Sequence, residues 1–247
     1  MNVRTPLPQD QATDDFPVTP ANRVRRASTR GRYDRTTIHA ILDAALLCHI
    51  AYTIEGRPYC TPTSFWREGD YLYWHGSSAS RMIRAQAQGI ALCLTVTHLD
   101  ALVMARSGFH HSVNYRSAMI FGQAHAVEDP TQRLALMERL IDRIYPGRSG
   151  IIRPPNTAEF KATTMMRMEI ETASAKIRDT HVSDDEEDYA NVPAWSALYP
   201  VTQILGEPSL CPRQAPDLPY PKEMADFQPG ARLDDVMAKT YRRTFGT

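Results

Sequence analysis

The sequence predicts a mainly β protein, a small closed barrel with helices packed outside it. Three observations carry that reading. Short apolar runs follow one another across tight turns at Glu55-Gly56-Arg57 and Glu68-Gly69-Asp70, which is the pattern of antiparallel hairpins. Three more strand-like runs lie between residues 90 and 128. Few helical patterns interrupt the strands, and sheets built from hairpins remove their exposed edges by closing. A chain of 247 residues can bury one sizeable core.

Residues 1–22 hold four prolines and no period, which predicts a loosely draped arm. The segment 23–35 carries six arginines and reads as its solvated continuation. Ile38, Ile41, Leu42 and Ala45 fall at helical spacing behind Thr36 or Thr37 as cap. A three-strand meander follows, "LLCHIAYTIE", "PYCTPTSFWRE" and "YLYWHGS". A short helix is expected over 79–88, with Gly89 at its C-terminal end. "IALCLTVTHL" (90–99) is apolar almost throughout, so both faces are expected to be buried. Residues 101–107 and 116–128 read as two further strands.

Asp129, Pro130 and Gly147 then mark a helix. Its expected buried stripe is Leu134, Met137, Leu140, Ile141 and Ile144. Residues 157–163 add a helical turn. In "TMMRMEIE", Met166, Met168 and Ile170 alternate with Arg167, Glu169 and Glu171, as in a half-buried strand. An acidic loop (183–190) and a proline-rich tail with a short helix near 233–242 complete the chain. The domain division expected is a flexible arm over 1–29, a barrel domain over 30–200, and an extension over 201–247 packed on the barrel.

Lys+Arg and Asp+Glu are both 28. A net charge of zero argues against nucleic acid as the main partner. No apolar run reaches the length of a membrane span, so no membrane partner is expected, and no secretory signal core is visible. Cys48, Cys60, Cys93 and Cys211 form no CxxC pair. They read as reduced, mostly buried thiols in a cytoplasmic protein. His75, His98 and His125 lack ligand spacing, and adjacent strand residues such as His110 and His111 point to opposite faces, so no metal site is expected. Haem remains open, because one histidine suffices as its axial ligand. No GxSxG elbow, P-loop or GxGxxG is present.

Two stretches concentrate chemistry. In "YWHGSSASRMIRAQAQG" (73–89) a strand is expected to end at Trp74 and a helix to begin beyond Ser80. Gly76 allows close backbone approach. Ser77, Ser78 and Ser80 offer hydroxyls, and Arg81 and Arg84 offer charge beside a helix N-terminus. These are the parts of a phosphate cradle, and equally those of a capped surface helix with solvated arginines. In "ARSGFHHSVNYRSAMIFG" (105–122) polar groups crowd a connection between strands. His110, His111, Asn114 and Arg116 are expected to line the substrate side of a cleft or to brace a dimer wall.

The run "GRPYCTPTSFWREGDYLYWHGSSASRMIRAQAQGIALCLTVTHLD", followed by "ARSGFHHSVNYRSAMIFGQA" and "ASAKIRD", resembles the pyridoxamine 5′-phosphate oxidase-related FMN-binding split-barrel superfamily. It is most similar to the flavin-nucleotide-binding branch that includes the 5-nitroimidazole reductase-like proteins. The resemblance covers roughly residues 30–200. It implies a six-stranded split β-barrel with outer helices, a homodimer, and FMN in the cleft between subunits. It places Thr61, Pro62 and Thr63 beside the isoalloxazine. It places His75, Gly76, Ser77, Ser80 and Arg81 around the phosphate. Met82 stands where many relatives carry lysine, with Arg84 as the compensating charge. Trp195 resembles a late tryptophan that reaches the cofactor.

The function implied is an FMN-dependent oxidoreductase passing electrons from NAD(P)H to a small acceptor such as a nitro compound or quinone. A flavin supplies that chemistry without an acid–base pair from the protein. A non-catalytic flavin or haem carrier or sensor, an F420-using reductase and a cofactor-free interaction module remain as alternatives.

Overall fold

The structure, a computed structural model, describes residues 14–215 and 217–246. A two-residue strand β1 (Gly31–Arg32) and helix α1 (Arg35–Asp43) precede the meander of β2 (Leu47–Ile54), β3 (Arg57–Glu68) and β4 (Tyr71–Ser77). The cap of α1 is Asp34, whose carboxylate accepts from the Thr37 amide. Thr36 and Thr37, the expected caps, already lie inside the helix. Glu55 and Gly56 between β2 and β3 both have positive φ (51° and 75°), the conformation of a two-residue hairpin turn that matches strand twist.

Helix α2 (Arg81–Gln86) leads into β5 (Gln88–Met104), which pairs with β6 (Ser112–Ala126). The two strands expected over 90–107 are thus one, with a register shift between Leu99 and Ala101. Then follow α3 (Pro130–Ile144), α4 (Thr157–Ala162), β7 (Thr163–Glu169), β8 (Thr172–Arg178), α5 (Glu186–Asn191), β9 (Ala197–Pro200) and α6 (Leu233–Phe245).

Six strands close a ring in the order β2-β3-β4-β7-β6-β5, with β5 returning to β2. Strands β1, β8 and β9 extend the sheet beyond it. Strand β6 serves two partners: Phe121 pairs with Thr172 of β8, and Ala124 pairs with Met168 of β7. Gly122 lies at the changeover. A Cβ there would collide with the Glu169 carbonyl and the Met168 side chain, so glycine lets the strands diverge at close range.

Ile50, Leu72, Trp74, Leu92, Leu94, Val96, Ile120, Met166 and Met168 fill the barrel. A smaller cluster of Trp66, Tyr73, Val127, Leu136 and Met165 lies beneath α3. The expected double burial of 90–99 does not hold within the chain. Leu92, Leu94 and Val96 point inward, while Ala91 and Thr97 are exposed, because a barrel wall has only one core face. Along α3 the deeply buried residues are Leu136 and Arg143, and the expected stripe is only half-buried. Cys48 is buried and Cys93 half-buried, but Cys60 and Cys211 are exposed. Desolvation pushes the Cys48 and Cys93 thiols above their usual range, which makes them poor nucleophiles.

Residues 1–13 of the expected arm lie outside the described residues. Residues 14–22 are docked rather than loose. Phe16 is 1% exposed, and the Asn22 amide donates to the Pro17 and Ala173 carbonyls. No helix among the described residues is long and apolar enough to cross a membrane.

Arg143 joins three helices. It is 1% exposed. One guanidinium nitrogen donates to Met237 O and Thr240 Oγ1 in α6, and the other to Asp43 O and Ala45 O at the end of α1. Burial pulls its pKa down to about 10, so it remains charged at neutral pH. Arg143→Met should therefore cost about 3–5 kcal/mol, the range for breaking a buried charged network. Chemical denaturation checks this, and a loss below about 1 kcal/mol would show that α6 is held by its apolar face instead.

Asp234, in the first turn of α6, takes hydrogen bonds from Arg232 and from Arg116 on β6. Those bonds, the Arg232 one foremost, pull its carboxyl from 3.8 down to about 2 against the opposing effect of burial. A carboxyl lowered on folding stabilises above its unfolded pKa and loses that stabilisation as the pH falls through its folded one. The melting-temperature gap between wild type and Asp234→Asn should shrink as the pH drops from about 4 to about 2. A constant gap across that window would mean the pair contributes nothing to stability.

Candidate functional site

The hairpin register places Tyr52 directly opposite Tyr59. Their rings stack at 5.6 Å, and the Tyr52 hydroxyl lies 3.1 Å from Thr61 Oγ1. The Arg81 guanidinium sits 4.4 Å from the centre of the Tyr59 ring. Stacking of this kind orients a guanidinium while leaving its in-plane donors open. Arg81 is exposed and makes no hydrogen bond or ion pair among the described residues. The structure thus brings Arg81 and Thr61 to one wall through Tyr59, a contact that the spacing of 61 and 81 does not reveal.

The turn before α2 differs from expectation in three respects. Strand β4 runs on to Ser77, pairing Ser77 with Thr163 of β7, instead of ending at Trp74. Gly76 is held against Ile83, whose Cγ1 would lie 2.6 Å from an added Cβ, so this glycine serves helix packing. The helix has only six residues. The serines are mostly committed. Ser78 donates to Lys161 O and Ser77 Oγ accepts from the Ala79 amide. Ser80 is the N-cap residue but makes no capping bond with its hydroxyl. Arg84 donates to Ala79 O at 2.7 Å and so closes its own loop.

His75 is half-buried, and desolvation holds its imidazole below the usual range. It is therefore neutral at pH 7. Its Nδ1 is buried without a hydrogen-bond partner, as is Nε2 of Gln86 in α2. The other end of the Gln86 amide accepts from Trp74 Nε1 at 3.0 Å. Trp74 and Gly76 meet α2 through Gln86 and Ile83, so the intervening His75 side chain lies on the other face of β4. Thr61 and Thr63 are half-buried while Pro62 is exposed. Alternate strand residues face opposite sides, so the three side chains cannot all meet one ring face.

The second group of residues lies elsewhere. Asn114 is buried, donating to Thr180 O and accepting from Arg178. Arg116 makes a forked pair with Asp100 and reaches Asp234. Asn114 is thus occupied in holding the fold, whereas Arg116, with Asp100, Asp234 and Arg232, lines a small cavity between β5, β6 and the start of α6. His111 Nδ1 lies 2.7 Å from Ser107 O, and His110 Nε2 lies 3.3 Å from Asp185 Oδ2. Trp195 is 68% exposed and meets the edge of Tyr199. Among the described residues no hydrogen bond, ion pair or ring contact links this group to the Arg81 group.

Sequence reasoning missed Tyr52 and Tyr59, although their equal distance from the Glu55-Gly56 turn was a usable signal. It also missed the Asp184–Asp188 segment opposite His110, since acidic loops are usually only solvated.

The family model of pyridoxamine 5′-phosphate oxidase matches residues 34–177. Among solved structures, the flavocytochrome Anf3 from Azotobacter vinelandii is 39% identical, over 86% of this chain and 98% of its own, with a TM-score of 0.80. The FAD and heme binding protein from Mycobacterium smegmatis is 31% identical, over 83% and 98%, with a TM-score of 0.77. No curated protein sequence matches significantly. The six-stranded ring, the matched span and these two likenesses lead to one conclusion: the chain belongs to the pyridoxamine 5′-phosphate oxidase family.

Proposed function

We propose that this protein binds a flavin nucleotide and acts as an oxidoreductase, passing electrons from NAD(P)H to a small acceptor. The observation that carries the reading is Arg81, an unpaired guanidinium held on the Tyr59 ring beside Thr61. An anionic phosphate is the natural complement of a forked cation with open donors. Ser80 adds a hydroxyl not spent on capping. The electron chemistry belongs to the flavin when bound. The chain supplies binding, orientation and a wall that keeps water from one side of the ring.

The sequence resemblance points to FMN. The two similar structures are named for flavin together with a cytochrome or haem, which favours FAD as the nucleotide and haem as a second group. A haem needs a histidine with a free ring nitrogen on an apolar surface. His49 meets that need: it is exposed on β2 opposite Pro62 and Thr95, two residues from the exposed Leu47 on the same strand face, and its ring has no partner among the described residues. A Soret band in protein as purified supports this second reading, and its absence after haem reconstitution removes it.

Titration of the apoprotein with FMN, FAD and riboflavin, followed by flavin fluorescence, tests the phosphate assignment. Charge-assisted hydrogen bonds contribute roughly 1.5–3 kcal/mol, so Arg81→Ala should weaken FMN or FAD about 10- to 150-fold. Riboflavin, which lacks the phosphate, should change little. Equal weakening of all three ligands places Arg81 at the ring or in the fold instead.

The proposal includes a homodimer. The outward face of β2, β5 and β6 exposes Leu47, Leu99, Leu102 and Met119, a surface that a second copy would cover. The symmetric dimer is also the commonest assembly. Light scattering at micromolar concentration should give twice the chain mass, with an interface above about 2,000 Å². A monomer under those conditions rejects a cofactor site shared between subunits.

A further inference from the structure

We propose that the protein carries a second, separate site for a divalent transition metal ion, formed by His110, Asp185 and Asp188 where the β5–β6 connection meets α5. Their ligand atoms all lie within 4.8 Å of one another. His110 Nε2 approaches Asp185 Oδ2 to 3.3 Å, yet it is buried and makes no hydrogen bond of acceptable geometry. An ordinary His–Asp pair would make that bond. A separation near 3.3 Å without it is what two ligands on one tetrahedral ion show, since metal bonds of about 2.0–2.1 Å place ligand atoms roughly that far apart.

The surroundings support the assignment on independent grounds. Asp185, Glu186, Glu187 and Asp188 are consecutive. Among the described residues no lysine or arginine pairs with any of them. The neighbouring cation, Arg106, is committed to Asp184 and Ser196. An excess of negative charge therefore surrounds an imidazole nitrogen that lacks a partner, and a dication offsets both. The segment is also held in place. Asp184 accepts from the Arg106 amide and guanidinium, its own amide donates to the Tyr189 hydroxyl, and Arg106 lies over the Tyr189 ring. The acidic end of the donor set is thus held in place before any ion arrives. One imidazole with two carboxylates selects Zn²⁺ and its first-row neighbours over Mg²⁺ and Ca²⁺, which prefer oxygen alone. The exposure of Asp185 leaves room for water to complete the coordination. The bound ion would tie the hairpin tip to the segment that leads into β9.

The test uses the full chain, stripped with a chelator, and Co²⁺ as an optical probe. Wild type should take up one Co²⁺ per chain with visible bands and no thiolate charge-transfer absorption. Zn²⁺ should displace it and raise the melting temperature, as any ligand of the native state does. His110→Gln and Asp188→Asn should each weaken uptake by at least about tenfold. Their melting temperatures without metal show that they fold. The site is overturned by any of three results: no saturable uptake by wild type, equal uptake by both variants, or Mg²⁺ competing as well as Zn²⁺.

Discussion

The closure of the barrel through the β2–β5 pairing is the constraint on which the rest of the structure depends. Only four residue pairs make it, from His49↔Thr95 to Tyr52↔Leu92. Without it β2 and β5 would each present a row of unpaired backbone groups, and the inward side chains would lose their shared interior. With it, Ile50, Leu92, Leu94 and Val96 meet Trp74 and Met168 around one axis. The length of β5 follows from the same demand. A strand that must pair with β2, β6 and β9 cannot be two short ones, and its bulge near Asp100 absorbs the bend.

Outside the barrel, charge joins the helices alongside their apolar faces. Arg143 gathers the ends of α1 and α6. Arg67, 8% exposed, meets Asp43 through two parallel bonds at 2.9 and 2.7 Å. Arg116 links β6 to the start of α6 through Asp234. Such networks add little net stability compared with apolar packing, but removing one partner strands the other in a poorly solvated place. They add fixed joints between α3, whose apolar stripe is only half-buried, and the more deeply buried faces of α1 and α6.

The chemistry of the molecule is divided between two places. One lies between β3 and α2, where a stacked tyrosine pair positions an unpaired arginine. The other lies at the β5–β6 connection, where an acidic segment faces a histidine. Each combines a group that lacks a partner with neighbours already committed elsewhere. That combination separates them from the Asp100–Arg116–Asp234 cluster, where every charge is satisfied.

Local rules were enough for much of this protein. Strand period, hairpin glycines and helix caps placed the meander, α3, β7 and the short helix before β5, because those signals act within a few residues. The same rules marked His75, Ser80 and Arg81 as a group, since all three lie within one strand-to-helix turn. They failed where the deciding contact spans the chain. Asn114 resembles a site residue until Arg178 and the Thr180 carbonyl arrive from beyond β6 to occupy it. Gly76 resembles a ligand-approach glycine until Ile83 packs on it. Phe16 resembles part of a loose arm until the barrel offers it a pocket. The sequence by itself determined which residues carry charge, donors and turns, because those are properties of side chains and short peptides. Only the tertiary structure decided which of those groups are spent on one another and which, like Arg81 and His110, are left without a partner, because satisfaction of a polar group depends on what the fold brings within about 3 Å of it.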